Sequence, residues 1–310
     1  MTAQSKYINP FTDFGFKRIF GEEDNKDILV DFLNEVLAPQ GIVIKELNYK
    51  KNDHYPISAE DRKVIFDLYC ENENGDKFTI ELQKAKQENF KDRMLYYSTF
   101  SIQEQGKKGN WNCKLKAVYV IAILDFVFEN SIKDKVISYI KLLDIDTKKA
   151  FSDNLNFVTI EMPHFTKEEH ELERNLDKWL YLLRHLHELE NIPIKLQGKI
   201  LEKVFKIAEY SALSKSERRE YDESLKNFND LQNTLETADK DGFERGVKNM
   251  IPKVEEALKQ KEEALKEKEE AEQSLKKMIK KMINRNFSIQ EIADDLGKTE
   301  VEINVIIKEN

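Results

Sequence analysis

Asp67, Glu81 and Gln83 lie in one short stretch, FDLYCENENGDKFTIELQ (66–83), in which apolar and polar residues alternate on either side of an Asn-Gly turn. A period of two places Val64, Phe66, Leu68 and Cys70 on one face of a first strand, and Phe78, Ile80 and Leu82 on one face of a second. That face is the core face. The opposite face carries Ile65, Asp67 and Tyr69 beside Thr79, Glu81 and Gln83. A two-residue Asn74-Gly75 loop would set Asp67 against Leu82, among apolar residues, whereas a three-residue Glu73-Asn74-Gly75 loop sets Asp67 opposite Glu81. The hydrophobic pattern selects the three-residue loop, with Gly75 as the left-handed residue of its bulge.

Directly opposed carboxylates have Cβ atoms about 5 Å apart and repel when both are ionised. Two arrangements relieve this: a solvated face from which the acids diverge, or a divalent cation between them. Mg²⁺ is a hard ion that takes oxygen ligands, often one or two carboxylates together with substrate phosphate and water. The segment that follows bears on the choice. From Lys84 to Lys116 there are eight basic residues (Lys84, Lys86, Lys91, Arg93, Lys107, Lys108, Lys114, Lys116) against Glu88, Asp92 and Glu104, in a chain whose net charge is -8. Positive charge beside a carboxylate pair is what a phosphodiester needs, phosphate contacts for affinity and a metal for chemistry. A run of charge is also, by itself, an ordinary solvated surface.

The elements that must position these residues follow from periodicity. Ile28, Leu29, Phe32, Leu33, Val36 and Leu37 recur at helical spacing within 14–38, with Asp24 or Asn25 available as a cap. GIVIKELNYKK (41–51) reads as a strand, the hairpin follows, 88–106 reads as a helix, and LKAVYVIAILDFVF (115–128) is a nearly continuous apolar strand buried on both faces. The order α-β-β-β-α-β makes an α/β core with a mixed sheet flanked by helices. We assign this core to 1–150 and a helical region to 151–250, marked by a stripe of Trp179, Leu180, Leu182, Leu183 and Leu186 and broken at Pro193.

A Glu/Lys-rich helix covers 251–285. Its imperfect heptad of Val254, Leu258, Leu265, Leu275, Ile279 and Met282 is interrupted by Lys261, Lys268 and Glu272, so it is either a weak coiled coil joining copies of the chain or a lone spacer. Residues 286–310 read as two short helices about a Leu296-Gly297 turn, opened by a Ser288–Glu291 capping box. Glu300, Glu302 and Glu309 suit the second helix to packing or self-association rather than to reading a major groove.

Other chemistries find little support. No apolar run is long enough to span a bilayer and Met1–Lys6 has no apolar segment behind its charge, so a cytoplasmic protein without membrane contact is expected. Cys70 and Cys113 read as buried apolar fillers. His54, His164, His170, His185 and His187 lack metal-ligand spacing, and no glycine-rich phosphate loop or Ser-His-Asp pattern occurs. Asp125, at the end of the buried strand, either flanks the acid pair or begins a loop.

The chain resembles the PD-(D/E)XK nuclease fold, and more closely the Rpn branch, recombination-promoting nucleases also labelled transposases. INPFTDFGFKRIFG is similar to that family's opening, VIFDLYCENENGDKFTIELQ to its catalytic hairpin, RMLYYSTFSIQEQGKKGNW to its next helix and LKAVYVIAILDF to its next strand. LDKWLYLLRHL, SERREYDESLKNFND and DGFERGVKNM are similar to its helical second half, so the resemblance covers roughly residues 7–250. It implies metal-dependent endonucleolytic hydrolysis of DNA, in recombination or mobile-element biology, with Mg²⁺ or Mn²⁺. Asp67, Glu81 and the backbone carbonyl of Leu82 would hold the metal, and Gln83, where the superfamily motif has lysine, would place the water. Positive charge would then come from the metal and from Lys17, Lys63 or Lys84, with Asp13 at the edge of the site and Lys17, Lys84, Lys86, Arg93 and Tyr97 along the DNA. A nucleic-acid binding or assembly protein with a decayed core is the alternative.

Overall fold

The computed structural model describes residues 5–50, 53–54, 64–106 and 114–308. They divide into two units, residues 1–235 and 236–310.

The first unit opens with α1 (Asp13–Phe20) and α2 (Lys26–Leu37). The Thr12 side chain caps α1 by accepting from the Gly15 amide, and the chain turns at Gly21 before α2, so the expected 14–38 segment is two helices. A Cβ at position 15 would meet the Asn9 carbonyl oxygen at 2.1 Å, so glycine lets α1 close against the turn before it. Of the expected strand 41–51 only β1 (Leu47–Tyr49) pairs. Ahead of it the backbone is held by side chains instead: Asn34 bonds both the amide and the carbonyl of Ile44, and the Glu73 carboxylate accepts from the amides of Lys45 and Glu46.

Two short strands, β2 (Asp53–His54) and β3 (Val64–Ile65), pair only with each other. β4 (Leu68–Asn72) and β5 (Lys77–Gln83) then form the hairpin, followed by α3 (Phe90–Gln103) and β6 (Val118–Leu124), which is buried along its whole length. The sheet continues through β7 (Ile137–Leu143) and β8 (Ala150–Glu161), neither of which the sequence pattern announces. Its order is β1-β4-β5-β6-β8-β7, with β5, β6 and β8 parallel to one another and the outer strands antiparallel. This mixed six-stranded sheet, followed by a largely helical second half, is the expected α/β architecture.

One face of the sheet, with Leu68, Cys70, Phe78, Ile80, Ile121, Ile123 and Ile160, joins the main core with α1, α2, α4 (Asn175–His185) and α5 (Lys199–Ala208). Trp179 is buried in this core, tilted against Phe20 and edge-on to Phe32, with its indole N–H donating to Asp31 at 2.8 Å. The other face, with Val118, Val120, Ala122 and Leu124, lies under Phe90 and Met94 of α3.

The hairpin register follows the expected three-residue loop. Leu68 pairs with Ile80 and Glu71 with Lys77, the Asn72 amide donates to the Asp76 carbonyl, and Gly75 has φ +83°. One expectation is corrected. The first strand is not continuous from Val64 to Cys70: it breaks at Phe66-Asp67, and Phe66 turns away from the main core to pack with Tyr69, Tyr97 and Phe100. A strict period of two fails there because the backbone at 66–67 leaves the ladder. The side chains of Val64 and Ile65, also assigned to faces by that period, lie outside the described residues.

α6 runs from Lys215 to Ile283, through Pro252, as one helix where the sequence suggested separate segments. In the second unit its C-terminal part packs Ile279 against Ile292 and Ala293 of α7 (Ile289–Leu296) and Ile303 of α8 (Glu300–Lys308). The Ser288–Glu291 capping box forms, Gly297 takes the left-handed cap at φ +62°, and Thr299 bonds Glu302 reciprocally. Val254, Leu258 and Leu265, on the expected heptad, stay exposed.

Trp179→Ala removes the largest fully buried side chain and its bond to Asp31. It should lower the unfolding free energy by about 3–5 kcal/mol, read from urea denaturation followed by circular dichroism.

Candidate functional site

β5 presents Thr79, Glu81 and Gln83 to α3 because Phe78 and Ile80 are claimed by the main core. Asp67 stands one residue before the Leu68–Ile80 pair, which sets it across from Glu81. The two acids are brought together as expected, but by a bend rather than by a strand: the Asp67 carboxylate turns in and accepts from the Leu82 amide at 2.8 Å, taking the place of a ladder bond.

Glu81 is 2 % exposed. Its Oε2 accepts from Arg93 Nη2 at 3.1 Å, while its Oε1 is buried with no hydrogen-bond partner. Burial, then the neighbouring Asp67 charge, push the Glu81 carboxyl up to about 8, against the pull of Arg93. Burial likewise raises Asp67, helped by Asp13 and opposed by the Leu82 amide, Lys17 and Arg93. Both carboxyls are thus driven upward chiefly by burial, Glu81 further by the Asp67 charge and Asp67 further by that of Asp13.

Arg93 is the hub of what surrounds them. Nη1 donates to Gln83 Oε1 at 3.3 Å and to Gln87 Oε1 at 3.1 Å, Nε donates to the Tyr97 hydroxyl at 2.9 Å, and the guanidinium lies 5.0 Å from the Tyr97 ring centroid. The expected one-turn spacing of Arg93 and Tyr97 therefore places both at the acids. Tyr97 is held edge-on by Phe66, with ring centroids 5.3 Å apart. Gln83 is nearly buried and donates its amide to the Ala85 carbonyl at 3.1 Å.

The lysines divide differently. Lys84 alternates to the other face of β5 and pairs with Asp13 at 2.8 Å. Lys86 pairs with Glu129 at 2.8 Å and does not meet the acids. Lys17 is exposed on α1 and reaches the pair only through its field on Asp67. Lys63 lies outside the described residues. Asp125 follows β6 in a bend: its amide donates to the Gln83 carbonyl at 2.9 Å and its carboxylate accepts from Gln232. It borders the end of β5 and opens the loop as well. Gln87, the second amide on Arg93, escaped sequence reasoning because it lies in a loop between elements, where no periodicity operates.

The donors suit a hard divalent cation. Two carboxylates face each other, one of them with an unpartnered buried oxygen. The N–H and C=O of a strand residue point toward the same neighbour, so the Leu82 carbonyl lies on the Asp67 side with its amide. Among the described residues no group of three or more His, Cys, Asp or Glu side chains is placed to hold a metal ion, here or elsewhere, so a cation at this pair would need backbone and solvent oxygens as well. Cys70 is buried, its thiol pushed up to about 12, as a filler would be; Cys113 lies outside the described residues.

A mixed sheet whose central hairpin buries an acid pair under one helix defines an α/β protein with a candidate carboxylate site. The chain belongs to the PD-(D/E)XK nuclease family transposases, whose family model matches residues 10–238. That span covers the sheet, α1 to α5 and the start of α6. No curated protein and no solved structure matches the chain. Nucleases of this kind typically use divalent metals. No described helix is long and apolar enough to cross a membrane.

A group whose folded pKa is raised binds its proton more tightly in the native state, so native stability falls as pH rises from the unfolded value, near 4.5, to about 8. Glu81→Gln removes that loss. In chelator, its melting temperature should equal or exceed that of the wild type, by a margin that widens from about pH 5 to about pH 8; a margin that shrinks over this range would reverse the sign.

Proposed function

We propose that this protein is a metal-dependent DNA endonuclease, hydrolysing phosphodiester bonds at the Asp67–Glu81 pair. The observation that carries this reading is the buried Glu81 Oε1, unpartnered and across from a second carboxyl, in a chain of a nuclease family. Asp67, Glu81 and the Leu82 carbonyl would hold Mg²⁺, or Mn²⁺, which takes similar oxygen donors. When bound, such an ion lowers the pKa of a coordinated water and offsets charge on the phosphate.

The chain's own residues do the rest. Gln83, fixed through Ala85 and Arg93, orients the attacking water with its amide oxygen. Lys17 extends the positive field from α1, while Lys84 and Lys86 exchange Asp13 and Glu129 for DNA phosphates, giving binding that weakens with salt. Tyr97 keeps Arg93 in reach of the strand. We place this activity in recombination or mobile-element biology, as in the Rpn branch, and in the cytoplasm.

We further propose that the chain works as a homo-oligomer through the charged part of α6, where Val254, Leu258 and Leu265 are exposed on one stripe. Removing residues 251–310 should lower the number of chains per particle, read as the light-scattering mass divided by the chain mass; an unchanged number would remove this proposal.

Plasmid nicking with Mg²⁺ or Mn²⁺ tests the main reading. Wild type should relax supercoiled DNA, and Asp67→Ala and Glu81→Ala should each cut about 100-fold more slowly or worse. DNA left intact by wild type under every metal, together with a salt-dependent gel shift, would instead favour a binding protein with a decayed core.

A further inference from the structure

Gln83 leaves the proposed site one positive charge short of a lysine-bearing motif, and the structure shows which residue stands in that place. A divalent cation balances two carboxylates, but the phosphodiester adds a negative charge that grows as a nucleophile attacks. Glutamine offers a dipole and no charge.

The lysines near in sequence do not fill the gap. Lys84 projects from the opposite side of β5, tied to Asp13, and Lys86 is tied to Glu129. Lys17 touches neither Glu81 nor Gln83. Arg93 touches both, with Nη1 3.3 Å from Gln83 Oε1 and Nη2 3.1 Å from Glu81 Oε2. A lysine at position 83 would be one bond longer than glutamine, and the Gln83 amide oxygen already lies 3.3 Å from Arg93 Nη1, so the two cations would serve the same region.

The guanidinium is also held as a reagent would be. Nε is fixed on the Tyr97 hydroxyl, the Tyr97 ring lies 5.0 Å away, and Phe66 buttresses that ring. Arginine has five N–H donors. Four are engaged, by Tyr97, Gln83, Gln87 and Glu81, and the fifth, on Nη2, has no protein acceptor among the described residues. The side chain is 32 % exposed, enough to meet a substrate from solvent.

We propose that Arg93, delivered from α3, supplies the positive charge that a lysine at position 83 would have supplied, donating through Nη2 to a non-bridging oxygen of the scissile phosphate. This rests on the nuclease reading above. In the free protein Nη2 donates to Glu81 and Nη1 to Gln83; with Glu81 turned to a divalent cation, Nη2 would be free to donate to the phosphate while Nη1 stays on Gln83.

The test is a charge transplant: wild type, Arg93→Ala, Gln83→Lys and the Arg93→Ala/Gln83→Lys double variant, each assayed for plasmid nicking in Mn²⁺. Mn²⁺ affinity by calorimetry and melting temperature accompany the rates. Arg93→Ala should lose about 100- to 1,000-fold in rate while still binding Mn²⁺ and keeping a cooperative melt. The double variant should regain at least about 10-fold over Arg93→Ala, and Gln83→Lys alone should gain nothing over wild type.

Wild type that leaves DNA intact overturns the nuclease reading and this assignment with it. Wild type that cuts beside an Arg93→Ala variant within about threefold of it overturns this assignment alone, since one charge-assisted donor is worth far more. A double variant that binds Mn²⁺ and melts cooperatively yet stays as slow as Arg93→Ala also overturns it, leaving Arg93 a positioning residue.

Discussion

The interaction on which the rest depends is the burial of Glu81 against Arg93. A carboxylate taken from water costs several kcal/mol unless it is paired and hydrogen-bonded. Here one oxygen is paired, at 3.1 Å, and the other is not. The sheet tolerates this because everything around Glu81 is fixed by other demands. Phe78 and Ile80 must enter the main core, so Glu81 must face α3, and α3 is held over that face by Phe90 and Met94. The result is a carboxyl kept where its charged form is unfavourable.

Local backbone irregularity sharpens that placement. Were the first hairpin strand continuous, Asp67 would project into the α3 side as a ladder residue and the Leu82 amide would bond backbone. Instead the chain bends at Phe66-Asp67, and the carboxylate takes over the Leu82 N–H. The same bend frees Phe66 to support Tyr97, and through it Arg93. One departure from regular geometry therefore positions an acid, a carbonyl and a cation together. Breaks of this kind at the end of a ladder are how sheets aim side chains at a common point.

Much of this was legible in residue order. The alternation in 66–83 and the Asn-Gly turn dictated the register, because any other would bury an acid among apolar residues. The apolar run at 118–124 announced a strand covered on both faces. β7 and β8 were not legible: Ser152, Asp153, Asn154 and Asn156 dilute the alternation, and the irregular pairing near Leu142 breaks its phase. Nor could a helical spacing of apolar residues show that α6 continues across Pro252, since proline in isolation argues for a break.

Sequence by itself determined the register of the hairpin, since side-chain period and turn length are local properties, while Phe66 left the period where the strand breaks. It named Asp67, Glu81 and Gln83, and it identified the missing lysine. Tertiary structure alone decided which cation lies against Glu81 and Gln83. The sequence offers Lys17, Lys63, Lys84, Lys86 and Arg93, and distance in sequence ranks Lys84 first. The packing of α3 reverses the ranking, because a helix crossing the sheet brings Arg93 to Glu81 and Gln83 while the pleat turns Lys84 to the other face toward Asp13.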